Sequence, residues 1–347
     1  MTASLKTKNG KLTALAVLVV APFSFWLNQT IDTHKTDLLP RIVLTNNYID
    51  DGVIQAALDA LPDIGGSVEL PPGLITIKNP IVLKRSNQKL IGAESSGAVG
   101  TLLRLADNAN CPVLILGIPV NKPLAVLSNL YVKNIWIDGN RAKQTQETWT
   151  AVSGDEIRNN GITVQSVTDS KVENVTCTRC RSGGLVTTLG VNRLIVNNLD
   201  AFDNEFDGLA CYLTTDSQFC NMYLHDNSCA GISLDLSFNN NVVKNVSLTE
   251  NNLGIFMRAS HNNQFQNVKI YKSKNFGVFM AHSSPTKSAT ACTGNNFTNI
   301  SAANCGGAAF RVNDATCVNN ILTEAKFGNN PNGAVSSPVD NLLAVVR

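Results

Sequence analysis

The stretch GISLDLSFNNNVVKNVSLTENNL (231–253) runs directly into GIFMRASHNNQFQNVKIYKSKNF (254–276). Both units share one grammar: a glycine, a short alternating strand, a turn of Ser and Asn, a second alternating strand, and another polar turn. Working outward, glycines open similar segments at Gly161, Gly184, Gly208, Gly231, Gly254 and Gly277, in steps of 23, 24, 23, 23 and 23 residues. Gly307 follows 30 residues on, which reads as one step plus a seven-residue insertion within Ser283 to Cys292. A unit this short holds two or three strands and leaves no room for a helix, so it buries its apolar face only by stacking on its neighbours. The consensus LxxLxLxxN of leucine-rich repeats, which have a similar period, is absent. The remaining solution is all-β: a parallel β-helix of ~23-residue coils, stacked about 4.8 Å apart.

The composition agrees with many turns between short strands. The 347 residues include 42 Asn and 24 Gly, with 44% hydrophobic and 16% charged residues. Turn asparagines tolerate left-handed backbone angles and can hydrogen-bond in ladders from coil to coil; Asn239, Asn262 and Asn263 hold similar turn positions. The formal net charge of +2 gives no case for nucleic acid or an anionic membrane as main partner. Lys6, Lys8 and Lys11 precede the apolar run Leu12–Leu27, so residues 1–35 read as a secretory signal or an uncleaved N-terminal anchor. That implies a secreted, periplasmic or cell-surface protein, touching a membrane only through this segment. Residues 36–347 then form the β-helix domain, with a cap over 45–75 and coils over 76–335. Nine cysteines make no complete disulfide framework. The lone CxxC of Cys177 and Cys180 has no partner motif for zinc.

Solenoids need capped ends. In DGVIQAALDAL (51–61), Val53, Ile54, Ala57, Leu58 and Leu61 share one helical side, so the chain opens with an amphipathic cap helix. The residues IQAALDALPDIGGSVELPPG (54–73), NIWIDGNRA (134–142) and the glycine-led coils resemble the pectate-lyase superfamily of single-stranded right-handed parallel β-helix proteins. Within it they are most similar to the mannuronan C5-epimerase catalytic module. The resemblance covers roughly Asp50 to Asn330. It implies a polysaccharide partner, but the superfamily holds lyases, hydrolases, epimerases and adhesins. That module carries Asp-Pro-His on a glycine-led strand. The corresponding strand here, Gly184-Leu185-Val186-Thr187-Thr188-Leu189, lacks Asp and His, so those roles do not transfer.

Alternation sorts each glycine-led strand into two faces. Positions one and three after the glycine are apolar and point inward. Position four, pointing outward, reads Gln165, Thr188, Tyr212, Asp235, Arg258, Ala281, Arg311; position two reads Thr163, Val186, Ala210, Ser233, Phe256, Phe279, Ala309. Tyr212, Asp235 and Arg258 thus project from adjacent coils as candidate catalytic residues, with an exposed ion pair as the bland alternative. Phe256 and Phe279 offer an apolar surface for a sugar face, and His261 and His282 follow in nearby turns. The loop Asn140–Asn160 interrupts the period and carries Trp149, which either stacks on a sugar or packs on the coils. Asp203 and Asp226 both lie five residues before a glycine, making a weak calcium site; no other cofactor is expected. Cys292 and Cys317 precede similar segments in adjacent coils, within disulfide reach.

The leading reading is an exported lyase or related uronan-modifying enzyme, in which Arg258 neutralises the uronate and Tyr212 or Asp235 moves protons. Paired carboxylates such as Asp207 and Asp235 would instead support hydrolysis. The competing reading is a non-catalytic glycan-binding or structural β-helix.

Overall fold

The computed structural model describes residues 39–45, 48–94, 100–282, 290–338 and 343–346. The expected signal or anchor, residues 1–35, lies outside the described residues, as does most of the stretch Ser283 to Cys292. No described helix is long and apolar enough to cross a membrane.

The chain winds into two long parallel sheets of 15 and 14 strands. One wall carries a run of eight-residue strands, among them Lys171–Thr178, Ile195–Phe202, Gln218–His225, Val242–Thr249 and Gln264–Tyr271. These are longer than the sequence pattern suggests because each bends rather than ends at an asparagine. Asn174, Asn198, Asn221, Asn245 and Asn267 all take φ between 53° and 57°, a conformation asparagine adopts more readily than most residues. The second wall carries the glycine-led strands, including Leu209–Tyr212, Ala230–Asp235, Leu253–Arg258 and Val278–Ala281. The residue after position four turns the corner: Ser166, Leu189, Leu213, Leu236 and Ala259 all have positive φ. Short strands such as Phe238–Asn239 and Ser260–His261 continue the sheet beyond it.

Positions one and three fill the interior, with Ile232, Leu234, Ile255, Met257, Val278 and Met280 fully buried. Phe265 and Phe297 stack in the core with centroids 4.5 Å apart. The glycine column marks where coils approach most closely. A Cβ on Gly184 would sit 2.6 Å from the Gly208 carbonyl oxygen, and one on Gly208 would sit 3.0 Å from that of Gly231. At the insertion the register departs from the expected period. Val278 pairs with Phe310, so the step is 32 residues and the insertion is nine (32 − 23), not seven. Ala309 therefore takes the glycine's place, and Arg311 lies beside Phe279 at position two, not beside Ala281. Gly307, the second glycine of the doublet Gly306-Gly307, imitates a coil start two residues early.

The cap helix spans Asp51–Ala60, and its N-cap Asp50 accepts from the Val53 amide at 3.0 Å. Ile54, Ala57, Leu58 and Leu61 are buried against the first coil. The stack extends beyond the expected limits at both ends. Arg41–Val43 pairs with Ser67–Glu69 ahead of the helix, and Leu343–Val346 pairs with Asn320–Thr323.

Many asparagines build the scaffold. One interior ladder links Asn204 to Asn227 and Asn227 to Asn251, both at 2.9 Å; a second links Asn241, Asn263, Asn295 and Asn320. Asn239 belongs to neither; it pairs in register with His261. Asn227 also donates to the Ala201 carbonyl and is fully buried. Replacing one partner strands buried donors and acceptors, so Asn227→Ala should cost about 3 kcal/mol, measured by chemical denaturation.

Candidate functional site

The position-four row forms as the strand register requires. Tyr212 pairs with Asp235, and Arg258 with Ala281; the Arg258 guanidinium bonds the Asp235 carboxylate across one coil step. Asp235 is only 3% exposed although its strand face points outward. Its Oδ1 also accepts from the Leu236 amide at 2.8 Å. Arg258 lies over the Phe256 ring at 5.0 Å, and its buried Nε has no hydrogen-bond partner among the described residues.

Phe256 and Phe279 are half-buried and nearly parallel, with centroids 5.9 Å apart and 5° between planes. Phe276 tilts against Phe279 at 5.6 Å. The aromatic surface expected from the sequence is thus present beside Arg258 and is enlarged by a residue the sequence reading did not single out.

Asp207, named from sequence only as a hydrolytic alternative, emerges as the distinctive acid. It precedes Gly208 in the turn leading into the Tyr212 strand, and its carboxylate accepts from the Ala230 amide at 2.8 Å. Burial pushes its carboxyl up to about 6, opposed by that amide and by Arg158. Burial also pushes the Tyr212 phenol up to about 12, reinforced by the negative charges of Asp207 and Asp235. The Tyr212 phenol therefore stays protonated near neutrality and can donate its hydroxyl hydrogen.

Arg158 comes from the loop that breaks the period. Thr148–Thr150 and Glu156–Arg158 form an antiparallel hairpin, and Arg158 covers the Phe206 ring at 4.8 Å while pairing with Glu147 at 3.3 Å. The alternation in TWT and EIR was the missed signal. Because Arg158 holds the Asp207 carboxyl down, Arg158→Ala should raise it further. The alkaline limb of a pH–rate profile governed by Asp207 should then move to higher pH.

Other expectations are redirected. Trp149 is half-buried and packs against the core, leaving loop packing as its role. His261 lies round the corner on the short-strand side, its Nδ1 bonded to Thr293 Oγ1 at 2.8 Å. His282 Nε2 lies 3.1 Å from Asp314. Neither histidine projects from the position-four row, because the left-handed corner turns His261 away and Asp314 engages His282. For calcium, Asp203 bonds Arg141 at 2.8 Å and Asp226 bonds His225 at 2.6 Å. These carboxylates are already committed to basic partners, and among the described residues no cluster of His, Cys, Asp and Glu could hold a metal. Cys292 and Cys317 are neighbours, with the Cys292 amide 3.4 Å from the Cys317 sulfur. Both are free thiols, not the bridge anticipated: the register brings the cysteines together, and the structure holds them in hydrogen-bond contact.

With this geometry in hand, a family model described as "Right handed beta helix region" matches residues 125–252. No curated protein sequence matches the chain. Among solved structures, the A-module of mannuronan C-5 epimerase AlgE6 from Azotobacter vinelandii is similar, with TM-score 0.53 and 17% identity, covering 87% of this chain and 96% of that one. A polygalacturonase from Erwinia carotovora ssp. carotovora is similar with TM-score 0.59 and 10% identity, covering 88% and 96%. A double mutant of the tailspike protein of E. coli bacteriophage HK620 is similar with TM-score 0.64 and 12% identity, covering 85% and 57%. At these identities the likeness is one of fold: the chain is a right-handed parallel β-helix, as its resemblance to the pectate-lyase superfamily implied.

Proposed function

We propose that the protein is an exported carbohydrate-active enzyme that hydrolyses an acidic polysaccharide on the glycine-led wall. The observation that carries this reading is the contrast between two carboxylates bordering Tyr212. Burial raises Asp207 to about 6, while Asp235 is locked to a guanidinium. Glycoside cleavage needs that division between a protonated and an ionised carboxyl. Asp207 gives its proton to the glycosidic oxygen as the bond from the anomeric carbon to that oxygen breaks. Water adds to the anomeric carbon, and Asp235 takes the water's proton. Arg258 and Arg158 receive sugar carboxylates, and Phe256 and Phe279 carry the C–H face of a sugar ring.

Fold neighbours named for mannuronan and polygalacturonate chemistry support a uronate polymer as substrate class. Such polymers lie outside the cell, in keeping with the basic, apolar start of the chain. β-Elimination is the second reading. It has in its favour the same arginines, with Asp235 as base, since burial keeps the Tyr212 phenol protonated near neutrality. Product chemistry separates the readings. Digests of polyuronates should show new reducing ends without the ultraviolet absorbance of an unsaturated uronate. That absorbance would establish the lyase, and retention without turnover would establish a binder.

A further inference from the structure

We propose a second glycan site on the long-strand wall, taking a segment of acidic oligosaccharide away from the glycine-led face. A hollow of about 350 Å³ opens there across successive coils. Its origin lies in the strand register. The outward residues at the third position of these strands run Glu173, Asn197, Cys220, Lys244 and Gln266, so the short Cys220 side chain leaves a dip between longer neighbours. Lys244 stands at one end and Lys171, ion-paired with Glu173 at 2.9 Å, at the other, with Asn197, Gln218 and Asn221 between them.

A second observation falls at the same place. Along the outer asparagine ladder, Asn267 donates to Asn245 and Asn245 to Asn221. Asn221 then donates at 2.8 Å to Asn197, whereas Asn198 continues a separate run to Asn174 and Asn134. The ladder steps sideways at the hollow, joining the lining residues Asn221 and Asn197 of adjacent coils. Amides at coil spacing beside the Lys244 ammonium suit a chain of hydroxyls carrying a carboxylate. A concave surface with converging polar groups is the usual form of a ligand site.

The ligand class rests on the proposed function, so the test separates the two. Cys220 lines the hollow, whereas Cys229 lies by the glycine-led face, its amide bonded to the Phe206 carbonyl. Both are partly accessible free thiols. The full-length protein is alkylated with iodoacetamide, with and without oligogalacturonate and oligomannuronate ladders, and each cysteine's labelling rate is read by mass spectrometry. Ligand at about ten times its dissociation constant should slow Cys220 labelling about tenfold, and the protection should weaken as salt rises. Lys244→Ala should reduce it at Cys220 while leaving Cys229 unchanged. Protection of Cys229 alone overturns the second site and leaves the proposed function intact. Protection of Cys220 alone supports the second site and counts against the catalytic wall. Protection of neither, or equal protection by neutral malto-oligosaccharides, overturns the inference.

Discussion

Asp207→Asn should abolish turnover while making the protein more stable at neutral pH. The activity loss follows from removing the proton donor, worth roughly 100- to 10,000-fold in rate. The stability gain follows from linkage. Burial raises the Asp207 carboxyl from the ordinary 3.8 to about 6, so the folded chain holds this proton more tightly than the unfolded chain does. The resulting stabilisation is complete below about pH 4 and is lost as pH rises through about 6. Above that, the native state carries a half-buried, partly desolvated carboxylate opposed only in part by the Ala230 amide and Arg158. Asparagine keeps an oxygen for that amide without the charge. The variant should therefore unfold later than wild type above about pH 7, by roughly 1–3 kcal/mol, and near parity below about pH 4. Thermal melts at the two pH values check this. A residue that merely supported the fold would lose stability at both.

The second large effect concerns the scaffold. Gly254→Ala should cost about 3 kcal/mol and weaken binding along the whole row. An alanine Cβ there would lie 2.7 Å from Ile270 Cγ2, and the Gly277 carbonyl oxygen is closer still. Neither neighbour can withdraw cheaply, since one is packed in the core and the other belongs to the ladder between coils. The coils would have to separate where Asp235 meets Arg258 and Phe256 meets Phe279. Calorimetry reads the stability loss. A substitution at Gly328, where an added Cβ meets nothing, is the control and should leave the melting temperature unchanged.

The contrast between these positions shows what the sequence conveyed. The glycine column, the inward pairs such as Ile255 and Met257, and the row Tyr212–Asp235–Arg258 were legible because a fixed period maps sequence spacing directly onto neighbouring coils. Phe256 and Phe279 followed from the same register. The length of the insertion before Ala309 was not, because an alanine fills the glycine's place and two glycines stand nearby. The acid was the harder case. Asp207 occupies a turn, where alternation says nothing about orientation, and its raised proton affinity depends on burial beneath neighbouring coils. Arg158 arrives from a hairpin outside the repeat, so no coil equivalence pointed to its place over Phe206. Trp149 was ambiguous for the same reason, and the hairpin's pairing resolved it toward the core. His261 was lost to the corner and His282 to its pairing with Asp314. A left-handed residue at Ala259 sends the chain onto another side, and strand alternation does not foresee that turn.

The most direct measurement is a crystal structure of Asp207→Asn soaked with an oligouronate that the wild type cleaves. The account predicts a sugar ring against Phe256 and Phe279, its carboxylate on Arg258, and a glycosidic oxygen within hydrogen-bond distance of the side-chain amide that the substitution introduces. An oligosaccharide bound elsewhere, with this wall bare, would contradict it.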